Sequence, residues 1–83
     1  MQITFKLYAT LSEFLPPEAE KHAVKLDIPD NATAFQIIDK FKVPREMAHL
    51  VLLNGVYLQP EERNTRTFHD GDTLAIWPPV AGG

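Results

Sequence analysis

The chain has 83 residues, a length that fits one small domain, with a net charge of −3, 45% hydrophobic residues and no cysteine. Acids and bases are interspersed, so no basic run points to nucleic acid or to a lipid surface. The lack of thiols excludes disulfides, thiolate metal sites and a cysteine nucleophile. Apolar runs are far shorter than the ~20 residues a membrane span needs, and the first residues lack the charged and apolar regions of a signal peptide. A cytoplasmic protein that uses neither nucleic acid nor membrane is expected.

Residues Gln2 to Tyr8 alternate, with Ile3, Phe5 and Leu7 on one side and Thr4, Lys6 and Tyr8 on the other. This is the period of a half-buried strand. Ala9 to Phe14 follow, and Leu15-Pro16-Pro17 closes any short turn there. Glu18 to His22 reads as loop. Ala23 to Ile28 alternates again and predicts a second strand, with Val24, Leu26 and Ile28 inward. Thr33 is placed to cap a helix over Ala34–Phe41, with Gln36 in the capping-box position. Ala34, Ile37, Ile38 and Phe41 form one apolar stripe on that helix. Pro44 ends it and pushes Val43 towards extended backbone. Arg45 to His49 has the look of a short helical turn.

Val51-Leu52-Leu53-Asn54-Gly55-Val56-Tyr57-Leu58 predicts a two-residue hairpin of type I′. Pairing across Asn54-Gly55 sets Val51, Leu53, Val56 and Leu58 on one face and Leu52 and Tyr57 on the other. Pro60 to Arg66 reads as polar loop, and Thr67-Phe68 as a short bridging segment. His69-Asp70-Gly71-Asp72 is a turn in which Gly71 is free to take positive φ. Thr73 to Trp77 is the last strand, with Leu74 and Ile76 inward and Thr73, Ala75 and Trp77 outward. A helix this short cannot bury itself, so it must lie across a mixed sheet in a two-layer α+β fold. The division expected is a domain over 1–77 and an extended tail over 78–83.

No catalytic constellation stands out. His22, His49 and His69 are scattered and share no metal-ligand spacing, so surface or loop positions are expected for them. Asp70-Gly71-Asp72 lacks the remaining ligands of a calcium loop. Gly55 and Gly71 are isolated, so no phosphate-binding glycine loop is present. Ser12 has no base placed to activate it, and Glu61-Glu62 reads as a solvated pair.

The last stretch is different in kind. Pro78-Pro79 cannot continue a paired strand and favours a stiff extended segment. Val80-Ala81-Gly82-Gly83 is small and uncharged, and the six residues beyond Trp77 reach about 20 Å when extended. Two glycines leave the Gly83 carboxylate without steric cover and let the backbone pass a narrow channel. Such a carboxylate is a weak electrophile until activated, for example as an acyl-adenylate. The outward aromatics belong with it. If the first and last strands form a parallel central pair, Tyr8 and Trp77 lie side by side, and Leu52 and Tyr57 extend the same exposed face. Apolar patches of this kind mark partner surfaces.

Taken together, the element order, the Asn54-Gly55 hairpin, Asp70-Gly71-Asp72 and Pro78-Pro79-Val80-Ala81-Gly82-Gly83 resemble the MoaD/ThiS sulfur carriers, which share the β-grasp fold of ubiquitin. The end resembles the molybdopterin synthase small subunit branch, whose members close with two aromatic or apolar residues and then Pro-Pro-Val-x-Gly-Gly. Tyr8-Ala9-Thr10-Leu11-Ser12-Glu13 resembles that family's first-strand segment, although Ser12 stands where arginine is frequent. Lys42 stands where many members have glycine, from which a different helix exit is expected.

The resemblance implies a cosubstrate and not an enzyme. An adenylyltransferase of the ubiquitin-activating class would bind the aromatic face and adenylate Gly83 with ATP, and a sulfur donor would convert it to a thiocarboxylate. The tail, including Gly82, Pro78, Pro79, Val80 and Ala81, would then enter a partner like the molybdopterin synthase large subunit. ATP is consumed on the activating partner, and no cofactor or metal is implied on this chain. A ubiquitin-like modifier, which forms isopeptides through Gly83, stays open. So do carriers for thiamin, cysteine or tRNA sulfur pathways, and a binding module with an inert tail.

Overall fold

The computed structural model describes residues 1–79. Five strands and one α-helix make up its regular structure: β1 (Gln2–Leu7), β2 (Ala23–Asp27), α1 (Ala34–Lys40), β3 (Leu50–Leu53), β4 (Val56–Tyr57) and β5 (Thr73–Trp77). Short 3₁₀ turns occupy Ala9–Phe14, Arg45–Met47 and Pro60–Glu62. The strands form one mixed sheet in the order β2-β1-β5-β3-β4. β1 and β5 run parallel at its centre, with Leu7 opposite Ile76 and Lys6 opposite Ala75. The other three pairings are antiparallel. This is the α+β fold expected, with the alternating strands turning their expected faces inward.

The inward side chains form one core. Ile3, Phe5, Leu7, Val51, Leu74 and Ile76 from the sheet are buried together with Ala34, Ile37 and Ile38 of α1. Full burial of the valine, leucine, isoleucine and phenylalanine side chains among these contributes about 1.5–3 kcal/mol each before entropy is counted. Phe41 closes the far end of the helix stripe by stacking on Phe5 at 5.2 Å between ring centres. At the helix start Thr33 and Gln36 form the expected capping box, in which the Thr33 N–H donates to Gln36 Oε1 at 3.1 Å. Thr33 Oγ1 is buried and faces the Gln36 N–H, outside ideal hydrogen-bond geometry.

Lys42 corrects an expectation. The helix does not leave by a different route. Lys42 takes φ +63°, its N–H donates to the Asp39 carbonyl, and the Val43 N–H donates to the Ile38 carbonyl. Those two bonds make the Schellman ending that glycine usually serves. The exit is thus the glycine-type exit, with a lysine held in the left-handed region.

The hairpin follows its sequence. Asn54 and Gly55 have φ of +52° and +82°, as a type I′ turn requires, and Leu53 pairs with Val56. Val56 does not join the core, however. It is 69% exposed, because the two-residue β4 is an edge strand whose tip overhangs the apolar layer. Ala75 departs the other way. It points outward yet is buried, since it sits in the central strand between Lys6 and Leu52 and is too small to rise above them.

Candidate functional site

β1 and β5 end side by side, and this brings Tyr8 and Trp77 together. Their rings lie 4.2 Å apart and 3° from parallel. Offset stacks of this kind contribute about 0.5–1.5 kcal/mol beyond the area they bury. The Tyr8 N–H donates to the Ile76 carbonyl at 3.1 Å and fixes the strand ends against each other. A third ring, unforeseen in the sequence, completes the stack: His22 lies 5.1 Å from Tyr8 on its other side. It is an exposed loop residue, as expected, but a placed one, because the Leu7 N–H donates to its carbonyl. Two residues without glycine's freedom take positive φ beside this stack, Ala9 at +54° and Lys21 at +57°. Backbone in that region costs about 1–2 kcal/mol per residue, and here it adjoins Tyr8 and His22 in the chain.

The expected face continues across the sheet. Trp77 pairs with Leu50, and Ala75 pairs with Leu52, which in turn pairs with Tyr57. Leu50 and Tyr57 are 37% and 42% exposed, and Leu52 is half-buried. The structure therefore brings Tyr8, Leu52, Tyr57 and Trp77 onto one surface and adds Leu50 to it. Pro78 is half-buried and Pro79 exposed, directly beyond Trp77. Val80, Ala81, Gly82 and Gly83 lie outside the described residues.

Beneath this face sits Arg63, placed by the sequence in a polar loop but in fact 6% exposed. Its Nε donates to the Leu58 carbonyl at 3.0 Å and its Nη1 to the Ala48 carbonyl at 3.1 Å. Nη2 donates to Tyr57 Oη at 3.1 Å and reaches the His49 carbonyl at 3.4 Å. The His49 N–H donates in turn to the Trp77 carbonyl. One guanidinium thus ties the hairpin, the segment before β3 and, through His49, the end of β5. Its donors meet backbone oxygens and a phenol, with no carboxylate among the described residues.

The opposite end of the central strands is held by Asp72. Burial alone would raise its pKa, but hydrogen bonds from the His69 N–H and Asn54 Nδ2 outweigh that and hold it below 3.8. Asn54 Oδ1 also accepts from the Thr73 N–H at 2.9 Å. Asp70 Oδ1 accepts from the Gln2 N–H, and the Gly71 N–H donates to the Gln2 carbonyl, so the turn is sealed onto β1. These carboxylates are occupied with backbone and amide groups. Ser12, where the resemblance raised a question, has its hydroxyl donating to the Ala9 carbonyl at 2.8 Å. A hollow of about 510 Å³ opens on the edge of β2 between Thr4, Glu18, Lys21 and Lys25. It contains neither Tyr8 nor Trp77. No group of three or more metal-ligating side chains lies together among the described residues.

A profile of the Mut7-C ubiquitin family matches residues 1–82. The chain belongs to that family. Solved structures share its fold over most or all of the chain. The Haloferax volcanii protein HVO 2177 matches with a TM-score of 0.77 at 21% identity, covering 100% of this chain and 87% of the other. SAMP1 from Haloferax volcanii matches at 0.69 and 26% identity over 100% of both chains. The complex of subunits 1 and 2 of the molybdopterin-converting factor from Helicobacter pylori contributes a chain at 0.62 and 19%, again over 100% of both. No curated protein matches the sequence. The resemblance read from the sequence thus holds at the level of the ubiquitin-like fold. Among the described residues no helix is long and apolar enough to cross a membrane.

Proposed function

We propose that this chain is a ubiquitin-like carrier whose Gly83 carboxylate attacks ATP on an activating partner, releasing pyrophosphate and leaving an acyl-adenylate. Sulfide equivalents from a donor then displace AMP and leave a thiocarboxylate. Molybdopterin dithiolene formation is the favoured recipient, through a large-subunit partner. The observation that carries this reading is the parallel β1–β5 pair, which ends in the Tyr8–Trp77 stack where the chain turns into Pro78-Pro79. An adenylating enzyme that grips the stack and the adjoining Leu50, Leu52 and Tyr57 has the tail beside it. The solved two-subunit complex of the Helicobacter pylori factor supports a partner enzyme for a chain of this fold.

A second reading has its own support. Small archaeal modifier protein 1 of Haloferax volcanii is 25% identical over 95% of this chain. In that reading the same adenylate is taken by a lysine amine, forming an isopeptide. The two diverge after activation, so one experiment separates them. The chain is incubated with its source organism's adenylyltransferase of the ubiquitin-activating class, ATP, a sulfur donor and cell extract, then read by intact mass. Replacement of one oxygen by sulfur supports the carrier; lysine conjugates without thiocarboxylate support the modifier. No ATP-dependent change in mass leaves neither.

A further inference from the structure

On the outer face of the sheet, β1, β5, β3 and β4 present Gln2, Thr4, Lys6, Thr73, Ala75, Trp77, Leu50, Leu52 and Tyr57. Lys6 is the one charged residue among them. The same face continues onto the neighbouring edge strand β2, where Lys25 stands opposite Thr4 and Asp27 opposite Gln2. Lys6 stands in the middle of a cross-sheet row, Ala23–Lys6–Ala75–Leu52–Tyr57. Both its neighbours are alanines, which leave room around its stem. It is one residue pair from the strand ends that carry Tyr8 and Trp77. It is partly buried, and its ammonium makes no hydrogen bond or ion pair with any described residue.

A partner that covers the aromatic end of this face also covers Lys6. Taking an unpaired ammonium out of water is costly, and a purely apolar partner surface offers nothing in return. Backbone carbonyls could solvate it, but one carboxylate matches the charge as well as the donors. From this we infer that the partner of the outer face is a protein surface with an apolar patch over Trp77 and Leu52 and a carboxylate set over Lys6. Lys6 then selects the partner: an apolar surface without the acid is rejected by an unpaired buried charge. The inference rests on the outer face being the surface that the activating partner grips.

The test is the Kd of the whole chain for its source organism's adenylyltransferase of the ubiquitin-activating class. Lys6→Met, Lys6→Glu, Lys6→Arg and Trp77→Ala are compared, with thermal melts to confirm that each folds. Binding should weaken about tenfold or more for Lys6→Met and further for Lys6→Glu, while Lys6→Arg stays near wild type. The wild-type Kd should also rise with salt more steeply than that of Lys6→Met. If Lys6→Met binds as tightly as wild type while Trp77→Ala does not, the surface stands and the carboxylate is overturned. If the wild-type chain does not bind the enzyme at all, the activation reading falls and takes this inference with it.

Discussion

Asp72 and Arg63 carry much of the polar order, and both are buried groups whose partners are mainly backbone. Asp72→Asn keeps one acceptor oxygen but turns an NH₂ towards a donor, either the His69 N–H or the Asn54 amide. A loss of about 1–3 kcal/mol at neutral pH is expected from urea denaturation. The pH dependence has a definite sign. The folded pKa lies below 3.8, so its contribution is complete above that value and is lost as pH falls through the lower folded pKa. Wild type and Asp72→Asn should therefore converge in stability as pH falls through the lowered folded pKa; parallel curves would show that another group governs the acid limb. Arg63→Met leaves the Leu58 and Ala48 carbonyls without their donor, and about 3 kcal/mol should be lost in the same measurement. None of this was legible beforehand. Arg63 sits in a polar stretch, and its burial depends on the hairpin and the segment before β3 closing around it. Hydrophobic periodicity does not report a cation satisfied by distant carbonyls.

Local elements were far easier to read, because their signals are local. The alternation in β1, β2 and β5, the stripe on α1 and the Asn54-Gly55 turn are each set by neighbours in sequence. Where neighbours in space intervene, the pattern does not report burial: Val56 overhangs the sheet edge and is exposed, while Ala75 points outward as expected yet is sheltered by Lys6 and Leu52. Lys42 and Gly55 form an instructive pair. Both hold positive φ, at +63° and +82°, but one is a lysine. Lys42→Gly should stabilise the fold by about 1 kcal/mol, since the left-handed penalty disappears while the Schellman bonds remain. Gly55→Ala should destabilise it by a similar ~1 kcal/mol. A Cβ at Gly55 meets nothing within 4 Å, so that loss is conformational and not steric. Thermal or urea midpoints read both signs, and a destabilised Lys42→Gly would mean that the lysine side chain has a contact that outweighs its backbone strain.

At the scale of the whole molecule, the sheet does two jobs with its two faces. One is filled by α1, and the other ends in the ring stack from which Pro78 departs. The position of the tail exit was readable from sequence once β1 and β5 were taken as parallel neighbours; the third ring was not, because His22 reaches Tyr8 only through the turn before β2. Trp77→Ala removes a stack with Tyr8 that contributes about 1 kcal/mol, so the melt should shift modestly. Affinity for an activating enzyme should fall by more than that; equal affinity would separate the stack from partner binding. The central claim is that chemistry takes place at Gly83 while residues 1–77 supply the grip. Pyrophosphate exchange into ATP by the source organism's adenylyltransferase of the ubiquitin-activating class, run with the whole chain and with Gly83 deleted, tests it most directly. The account predicts exchange that depends on the whole chain and vanishes on deletion, at an unchanged melting midpoint; exchange undiminished by the deletion, or none with the whole chain, would contradict it.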